Sequence, residues 1–254
     1  MKRIAIVHWL PLEYYPPAMN LLDYLGREEF IRCMAFSTAN RRDRPTYRNP
    51  EVDVARFPFP DADEPPALRM LKYGAGYLGT LLGLVLFRPD AILYIEPHSA
   101  GPVYWYCRYV DPGAEIFIHN HEYYAPDEFE RPGMRLVRWF HRYERKYLYP
   151  AARWISEQNA RRVELLRQDC PEIDEDVLRV MPNYPPRWWG NGGDWKARID
   201  RPIRCVYVGS VSREDTYIEE VCEWVMAQDG DVRLDIYAYQ VPESTARYLN
   251  ELEC

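Results

Sequence analysis

The residues from Glu115 to Tyr124 constrain the fold of this 254-residue chain more than any other stretch. Three apolar residues, Ile116, Phe117 and Ile118, follow the turn signal Asp111-Pro112-Gly113. They deliver His119, Asn120, His121, Glu122, Tyr123 and Tyr124 in immediate succession. A short Ile/Phe run bounded in this way predicts a strand buried on both faces, as in a parallel sheet, and such sheets hold their ligand groups just beyond the carboxyl ends of the strands. Two of the five histidines therefore fall where chemistry is expected, although each imidazole could equally cap the next helix or fill a gap in the core.

The rest of the chain repeats this alternation of apolar runs and helical patterns. Strands are expected at Arg3–His8, Ile31–Ser37, Val52–Phe57, Ala91–Ile95, the run ending at His119, Ala151–Ser156 and Val177–Met181. Between them, helices are expected at Ala18–Gly26, Leu68–Phe87, Val103–Val110, Met134–Tyr149 and Asn159–Arg167. Pro182-Asn183-Tyr184-Pro185-Pro186 ends the last of these strands, and from there to Arg201 the composition shifts to Trp, Gly, Asn and Pro, the kind of segment that separates domains. A new pattern then opens with strand Ile203–Val208, helix Thr216–Ala227, strand Leu234–Tyr239 and helix Glu243–Leu252. The expected fold class is α/β, a Rossmann-like doubly wound parallel sheet over residues 1–186, a linker over 187–201 and the start of a second Rossmann-like domain over 202–254. Two βα units fall short of the roughly 100 to 150 residues such a domain takes, so the second domain reads as incomplete.

Charge and cysteine usage narrow the function classes. A formal net charge of -7 gives no basic footprint, which sets nucleic acid aside as a partner. The six cysteines are dispersed, without C-x-x-C pairs or neighbouring histidines, so free thiols in a reducing cytoplasm are expected and a metal site is not. The N-terminal run Ile4–Val7 is too short for a signal peptide.

Two helical segments carry a membrane-facing alternative. No residue from Tyr73 to Phe87 is charged, yet the run is shorter than the ~20 residues a span requires, and Gly74, Gly76, Gly79 and Gly83 suit close helix packing. A buried or partly exposed helix is expected, with contact to a membrane surface as the alternative. In Met134–Tyr149, Arg135, Arg138, Arg142, Arg145 and Lys146 form one stripe opposite Leu136, Phe140, Tyr143 and Tyr147. Such a stripe is either a solvated face or a surface for anionic head groups or a diphosphate-bearing acceptor. Glu144 lies on the apolar side and is expected to be paired, for instance with an Arg of a neighbouring element. The turn Glu96-Pro97-His98-Ser99-Ala100-Gly101-Pro102 is expected to open its helix with amides free for an anion or a sugar hydroxyl.

Five features in order, the N-terminal strand with its Pro-rich loop and helix, R-P-D at Arg88 to Asp90, I-F-I-H-N-H-E-Y-Y at Ile116 to Tyr124, V-M-P-N-Y-P-P at Val180 to Pro186 and V-Y-V-G-S at Val206 to Ser210, resemble the GT-B fold glycosyltransferases, most closely the retaining family 4 enzymes. The resemblance covers nearly the whole chain. It implies transfer of a sugar from a nucleotide-sugar donor to a glycan or lipid-linked acceptor, with no cofactor and no obligatory metal, in cell-envelope or exopolysaccharide synthesis at the inner face of a membrane. It further implies that the His-Asn-His-Glu segment faces an interdomain cleft, with His121, His119 and Glu122 as catalytic candidates and His98, Ser99 and Tyr123 on the acceptor side. Gly209, Ser210 and Arg213 match donor-binding positions, Gly209 by letting the backbone approach the phosphates and Arg213 by pairing with them.

The chain also departs from that pattern. No Lys follows Arg213 to share the phosphate charge, the loop from Trp9 to Pro17 is not Gly-rich, and the family's paired-glutamate donor motif would lie beyond Cys254. A noncatalytic half of a split transferase, which binds an acceptor or a partner chain completing the second domain, is therefore the alternative. A nucleotide-sugar epimerase of the same build is disfavoured because no acid/base carboxylates stand out. No G-x-S-x-G elbow and no G-x-G-x-x-G after a strand support a hydrolase or a conventional dinucleotide site.

Overall fold

A computed structural model describes residues 1–39, 44–61, 63–184, 202–214, 216–239 and 241–252. The chain forms two compact units, Met1–Gly190 and Asn191–Cys254. The expected linker over 187–201 lies outside the described residues.

In the first unit, seven strands build one all-parallel sheet: β1 (Lys2–His8), β2 (Ile31–Thr38), β3 (Val52–Phe57), β4 (Ala91–Ile95), β5 (Glu115–His119), β6 (Ala152–Glu157) and β7 (Leu178–Val180). Their order is β3-β2-β1-β4-β5-β6-β7. All five residues of β4 are buried, as a continuous apolar run in the middle of a two-sided sheet requires. The chain winds one way from β1 to β3 and returns beside β1 as β4, so the order reverses there and opens a crevice at the carboxyl ends of β1 and β4.

Alternate residues along the strands feed two cores. Ile6, Ala35, Leu93 and Ile95 face one cluster, which α1 (Pro16–Gly26) closes with Ala18 and Leu22. Ala5, Val7, Phe36, Ile92 and Tyr94 face the larger cluster, closed by α2 (Pro66–Phe87), α3 (Ala100–Tyr109) and α4 (Arg135–Tyr143) through Tyr77, Leu84, Val103, Tyr106 and Phe140. The α2 glycines explain how the helix lies so close to the sheet. A Cβ at Gly76, Gly79 or Gly83 would collide with the rings of Trp9, Phe57 and Phe36 respectively, whereas one at Gly74 would meet open space. A further helix, α5 (Ala160–Asp169), is capped by Asn159, whose side chain accepts from the Arg162 N–H.

Three local expectations change. The long helix over Met134–Tyr149 is α-helical only to Tyr143; Glu144–Leu148 is a π-helical turn, followed by a 3-10 turn over Tyr149–Ala151. Glu144 is wholly buried, but its partners are the Tyr94 hydroxyl and the His141 ring, each at 2.7 Å, rather than an arginine. The start of α3 is not open to a ligand: Pro97 to Ser99 form a 3-10 turn, and Ala100, Gly101, Pro102 and Val103 are buried, Gly101 against Tyr77 and Phe140.

In the second unit β8 (Ile203–Ser210) and β9 (Val232–Tyr239) pair in parallel, with α6 (Ile218–Met226) and α7 (Glu243–Glu251) after them. Val211, Ile218 and Cys222 form its core, with Tyr207, Leu234 and Ile236 packed against them. The alternate residues Val206, Val208 and Tyr237 stay exposed at 58%, 75% and 62%, so one face of this two-stranded sheet is bare.

Candidate active site at the carboxyl edge of the sheet

Parallel register places His8, Ile95, His119 and Ser156 side by side on the last rung of β1, β4, β5 and β6. One residue further along, Glu96 and Asn120 continue the ladder: the Glu96 N–H donates to the His119 carbonyl at 3.1 Å, and the Asn120 N–H to the Ser156 carbonyl at 2.9 Å. With Glu157 ending β6, the sheet edge presents His8, Glu96, His119, Asn120, His121 and Glu157, each at most 5% exposed. A row of buried polar residues at this edge is the arrangement expected of a ligand site.

His121 is held by its backbone, with its ring facing the cluster. Its N–H donates to Glu96 Oε1 at 2.7 Å, its carbonyl accepts from Arg162 Nη1 at 2.7 Å and from Gln158, and its ring stacks on Tyr15 with centroids 5.2 Å apart. Neither ring nitrogen meets strict hydrogen-bond geometry with a described residue, but the Asn183 side chain reaches toward the His121 and His119 rings and partly offsets the lowering of their pKa. The His8 and His119 rings flank His121 at 6.0 and 4.8 Å. In both of these the tautomer follows from the partner. Leu10 offers His8 Nδ1 only a carbonyl, at 2.6 Å, so Nδ1 carries the proton. Ser156 donates its own hydroxyl proton to the Ile118 carbonyl at 3.1 Å, so it accepts from His119 Nδ1 at 2.9 Å. Each ring thereby keeps a buried Nε2 lone pair. Burial lowers the pKa of His8 and His119 to about 3 and that of His121 to about 4, and the neighbouring rings lower the first two further. All three are neutral imidazoles at physiological pH, suited to accept a hydrogen bond from a ligand hydroxyl.

Proton-exchanging groups are supplied instead by two carboxyls that sequence reasoning passed over. Burial raises Glu96 to about 7 and Glu157 to about 8. Glu96 Oε1 takes the N–H groups of His121 and Glu122, at 2.7 and 3.1 Å, and the Tyr124 hydroxyl lies beside the same carboxyl and favours its charged form; Glu157 Oε1 takes Asn120 Nδ2 at 2.9 Å, while its Oε2 has no hydrogen-bond partner among the described residues. A carboxyl poised near neutrality is the ordinary requirement of general acid/base work. Glu96 sits at φ 69, ψ 150, a backbone region almost reserved for glycine, which marks the position as strained. The signal in the sequence was the same for His8, Glu96 and Glu157: a polar residue directly ending an apolar strand.

The other predicted residues separate. Glu122 is ion-paired with Arg162 at 2.6 Å and largely exposed. His98 is held in the 3-10 turn after β4, with its ring against Tyr124 and its pKa lowered to about 4 by burial. The Ser99 hydroxyl is engaged inside the fold, donating to the Ile95 carbonyl at 2.6 Å and accepting from the Trp9 N–H at 2.9 Å. Tyr123 bonds Asp169 and lines a cavity of about 230 Å³ that reaches the cluster through Asn120 and Glu157 and has Arg138, Arg142 and Arg145 on another wall. In the second unit, Gly209 and Ser210 end β8, and the Arg213 guanidinium pairs with Glu219 and stacks 4.8 Å over Tyr248. Among the described residues no three His, Cys, Asp or Glu side chains are arranged to hold a metal ion.

No family model matches the chain, and no curated protein matches it. Solved structures do. A lipopolysaccharide outer core galactosyltransferase, WaaB, superposes on 98% of this chain with a TM-score of 0.56 at 13% identity, and this chain covers 64% of its length. Sucrose-phosphate synthase from Thermosynechococcus elongatus matches 98% of the chain at TM-score 0.62 and 13% identity, with 67% of its own length covered. UDP-GlcNAc 2-epimerase from Neisseria meningitidis, solved with UDP-GlcNAc bound, matches 99% at TM-score 0.55 and 9% identity, with 70% covered. The chain thus spans about two thirds of the length of these structures, and its seven-stranded unit is a Rossmann-like α/β domain of the GT-B type.

Proposed function

We propose that this chain belongs to a glycosyltransferase of the family 4 lineage. In this reading its first unit binds a glycan or lipid-linked acceptor at the carboxyl edge of the sheet, and its second unit carries part of a nucleotide-sugar site. The observation that carries the reading is the buried polar row itself, in which His8, His119 and His121, neutral imidazoles, stand beside the Glu96 carboxyl poised near neutrality. His121 and His119 hold hydroxyls of the acceptor or the transferred sugar, and Glu96 exchanges the proton of the attacking hydroxyl. Gly209, Ser210 and Arg213 would meet the donor, with the diphosphate displacing Glu219 from Arg213.

The experiment is incubation of the chain with uridine and guanosine diphosphate sugars and sugar or lipid-linked acceptors, read by mass spectrometry of the products. Transfer is expected, and His121→Ala, which removes a ring that holds a substrate hydroxyl, should lower kcat/KM by about 10- to 100-fold, measured at a temperature where the variant is shown to be folded. An equally active His121→Ala would remove that ring from the site.

The bare face of Val206, Val208 and Tyr237 favours a second reading, a noncatalytic half that binds acceptor and is completed by a partner chain. Calorimetric binding of acceptor but of no sugar nucleotide by the folded chain would select it. The buried Glu96 and Glu157 carboxyls give the epimerase reading the acid/base groups that the sequence did not show. Solvent-deuterium incorporation into a sugar nucleotide without any acceptor would select that one.

A further inference from the structure

The helix layer over the larger core carries a pattern that glycosyl transfer does not use. α2 packs beside α3, and α3 beside α4. The outer stripe of α2 is Leu68, Leu71, Leu78, Leu82 and Leu86, 40% to 84% exposed, and only 28% of the most apolar 18-residue window of this helix is buried. On α4 and the turn that follows, the outward positions are Arg135, Trp139, Arg142 and Lys146. α3 adds Arg108 and Tyr109.

Charge in this layer has one sign. Residues 66–87, 100–109 and 135–148 hold eight Lys and Arg and one acidic residue, Glu144, which is fully buried, in a chain whose net charge is -7. Lys72, Arg138 and Arg145 pair with Glu64, Glu130 and Glu172. Arg69, Arg108, Arg135, Arg142 and Lys146 form no ion pair among the described residues. Arg69 and Arg135 also border an apolar recess of about 450 Å³ between the beginnings of α2 and α4, lined by Met70, Tyr73, Leu136 and Trp139.

We infer that this face docks on an anionic lipid bilayer, with α2 lying in the plane of the interface, its leucines among the acyl chains and Arg108, Arg135, Arg142 and Lys146 on the headgroup phosphates. A leucine face bordered by cations, with Trp and Tyr between apolar and wet regions, is what an interfacial helix requires. The helix does not cross the membrane, because Tyr77, Thr80, Leu84 and Phe87 anchor its other side in the core. A protein partner would more often meet charges of both signs; a continuous excess of one sign suits the field of an anionic surface.

The test is flotation of the full chain with phosphatidylcholine vesicles, with and without one third phosphatidylglycerol. Association only with the anionic vesicles is expected. Arg135→Gln, Arg142→Gln and Lys146→Gln together should weaken it about a hundredfold at low salt. Leu71→Gln, Leu78→Gln and Leu82→Gln, all at solvent-facing positions, should abolish it with the helical signal retained. Tyr24→Gln and Phe30→Gln, exposed residues of α1 and the loop after it, should leave it unchanged. A parent chain that ignores anionic vesicles overturns the inference, as does equal binding by every variant. A parent dimer that the leucine variant converts to monomer, without vesicle binding, overturns it in favour of a protein contact.

Discussion

Glu96 concentrates the tension between fold and site in one residue. Its φ of 69 costs about 1 to 3 kcal/mol for any residue with a Cβ, and the conformation persists because the carboxylate takes two buried N–H groups of the following strand's loop. Truncation to Ala or to Gly unpairs those amides alike. Glu96→Ala keeps the backbone strain as well, so it is expected to destabilise by about 2 to 4 kcal/mol, while Glu96→Gly should recover about 1 kcal/mol of that loss. Denaturant midpoints should therefore rank Gly above Ala, the reverse of the usual order at a helix or strand position. The opposite ranking would mean that the carboxylate alone, and not the backbone, is at issue. Nothing in E-P-H-S discloses a left-handed glutamate; only the structure shows it.

At the scale of elements, α2 records how far a sequence pattern reaches. Four glycines within an uncharged run imply close packing, and three of them, Gly76, Gly79 and Gly83, do meet aromatic rings: Trp9 just after β1, Phe57 of β3 and Phe36 of β2. The pattern does not say which, because the side of the helix that faces the sheet is set by Trp9, Phe36 and Phe57, residues on other elements. Gly83→Ala is expected to destabilise by about 1 to 3 kcal/mol through collision with Phe36, whereas Gly74→Ala, open to solvent, should stabilise by about 0.5 to 1 kcal/mol. Thermal unfolding of the two variants checks this, and equal effects would refute the packing described. The strands were legible for a related reason. Ala91–Ile95 and the run ending at His119 are continuous apolar segments bounded by turn residues, and both are observed with those limits. The π-helical turn at Glu144 was not legible, since it answers to Tyr94 on β4 and His141 beneath it. The site was legible where polar residues crowd, at His119 and His121, and silent where one polar residue ends a strand, at His8, Glu96 and Glu157. Register across four strands, a long-range property, is what unites them.

The whole molecule carries buried titratable groups of two kinds, and they bend its stability in opposite directions. His8, His98, His119 and His121 are depressed below the ordinary 6.5, to between about 3 and 4. As pH falls below about 6.5 the unfolded chain takes up protons that the folded chain refuses, and stability is lost. Glu96 and Glu157 are raised above 4.5, to about 7 and about 8, so their contribution is whole at low pH and is lost as pH rises through those values. Between about 4.5 and 6.5 the four histidines outweigh the two carboxyls, and above that only the carboxyls act. The melting temperature should peak near pH 6.5, and Glu96→Gln combined with Glu157→Gln should flatten the alkaline side and steepen the acid side, where the two carboxyls had opposed the histidines. A profile that rises steadily to pH 8 would show these carboxyls ionised in the folded protein.

The rung His8, Ile95, His119, Ser156 has a consequence for how such a site can change over time. Its members are spaced by the backbone ladder, about 4.8 Å per strand, rather than by the side chains themselves. The row works like a comb whose teeth are set in a rigid spine: one tooth can be exchanged for another chemistry without re-aiming the teeth beyond its immediate neighbours, so new reactivity can arise here with the sheet left as it is.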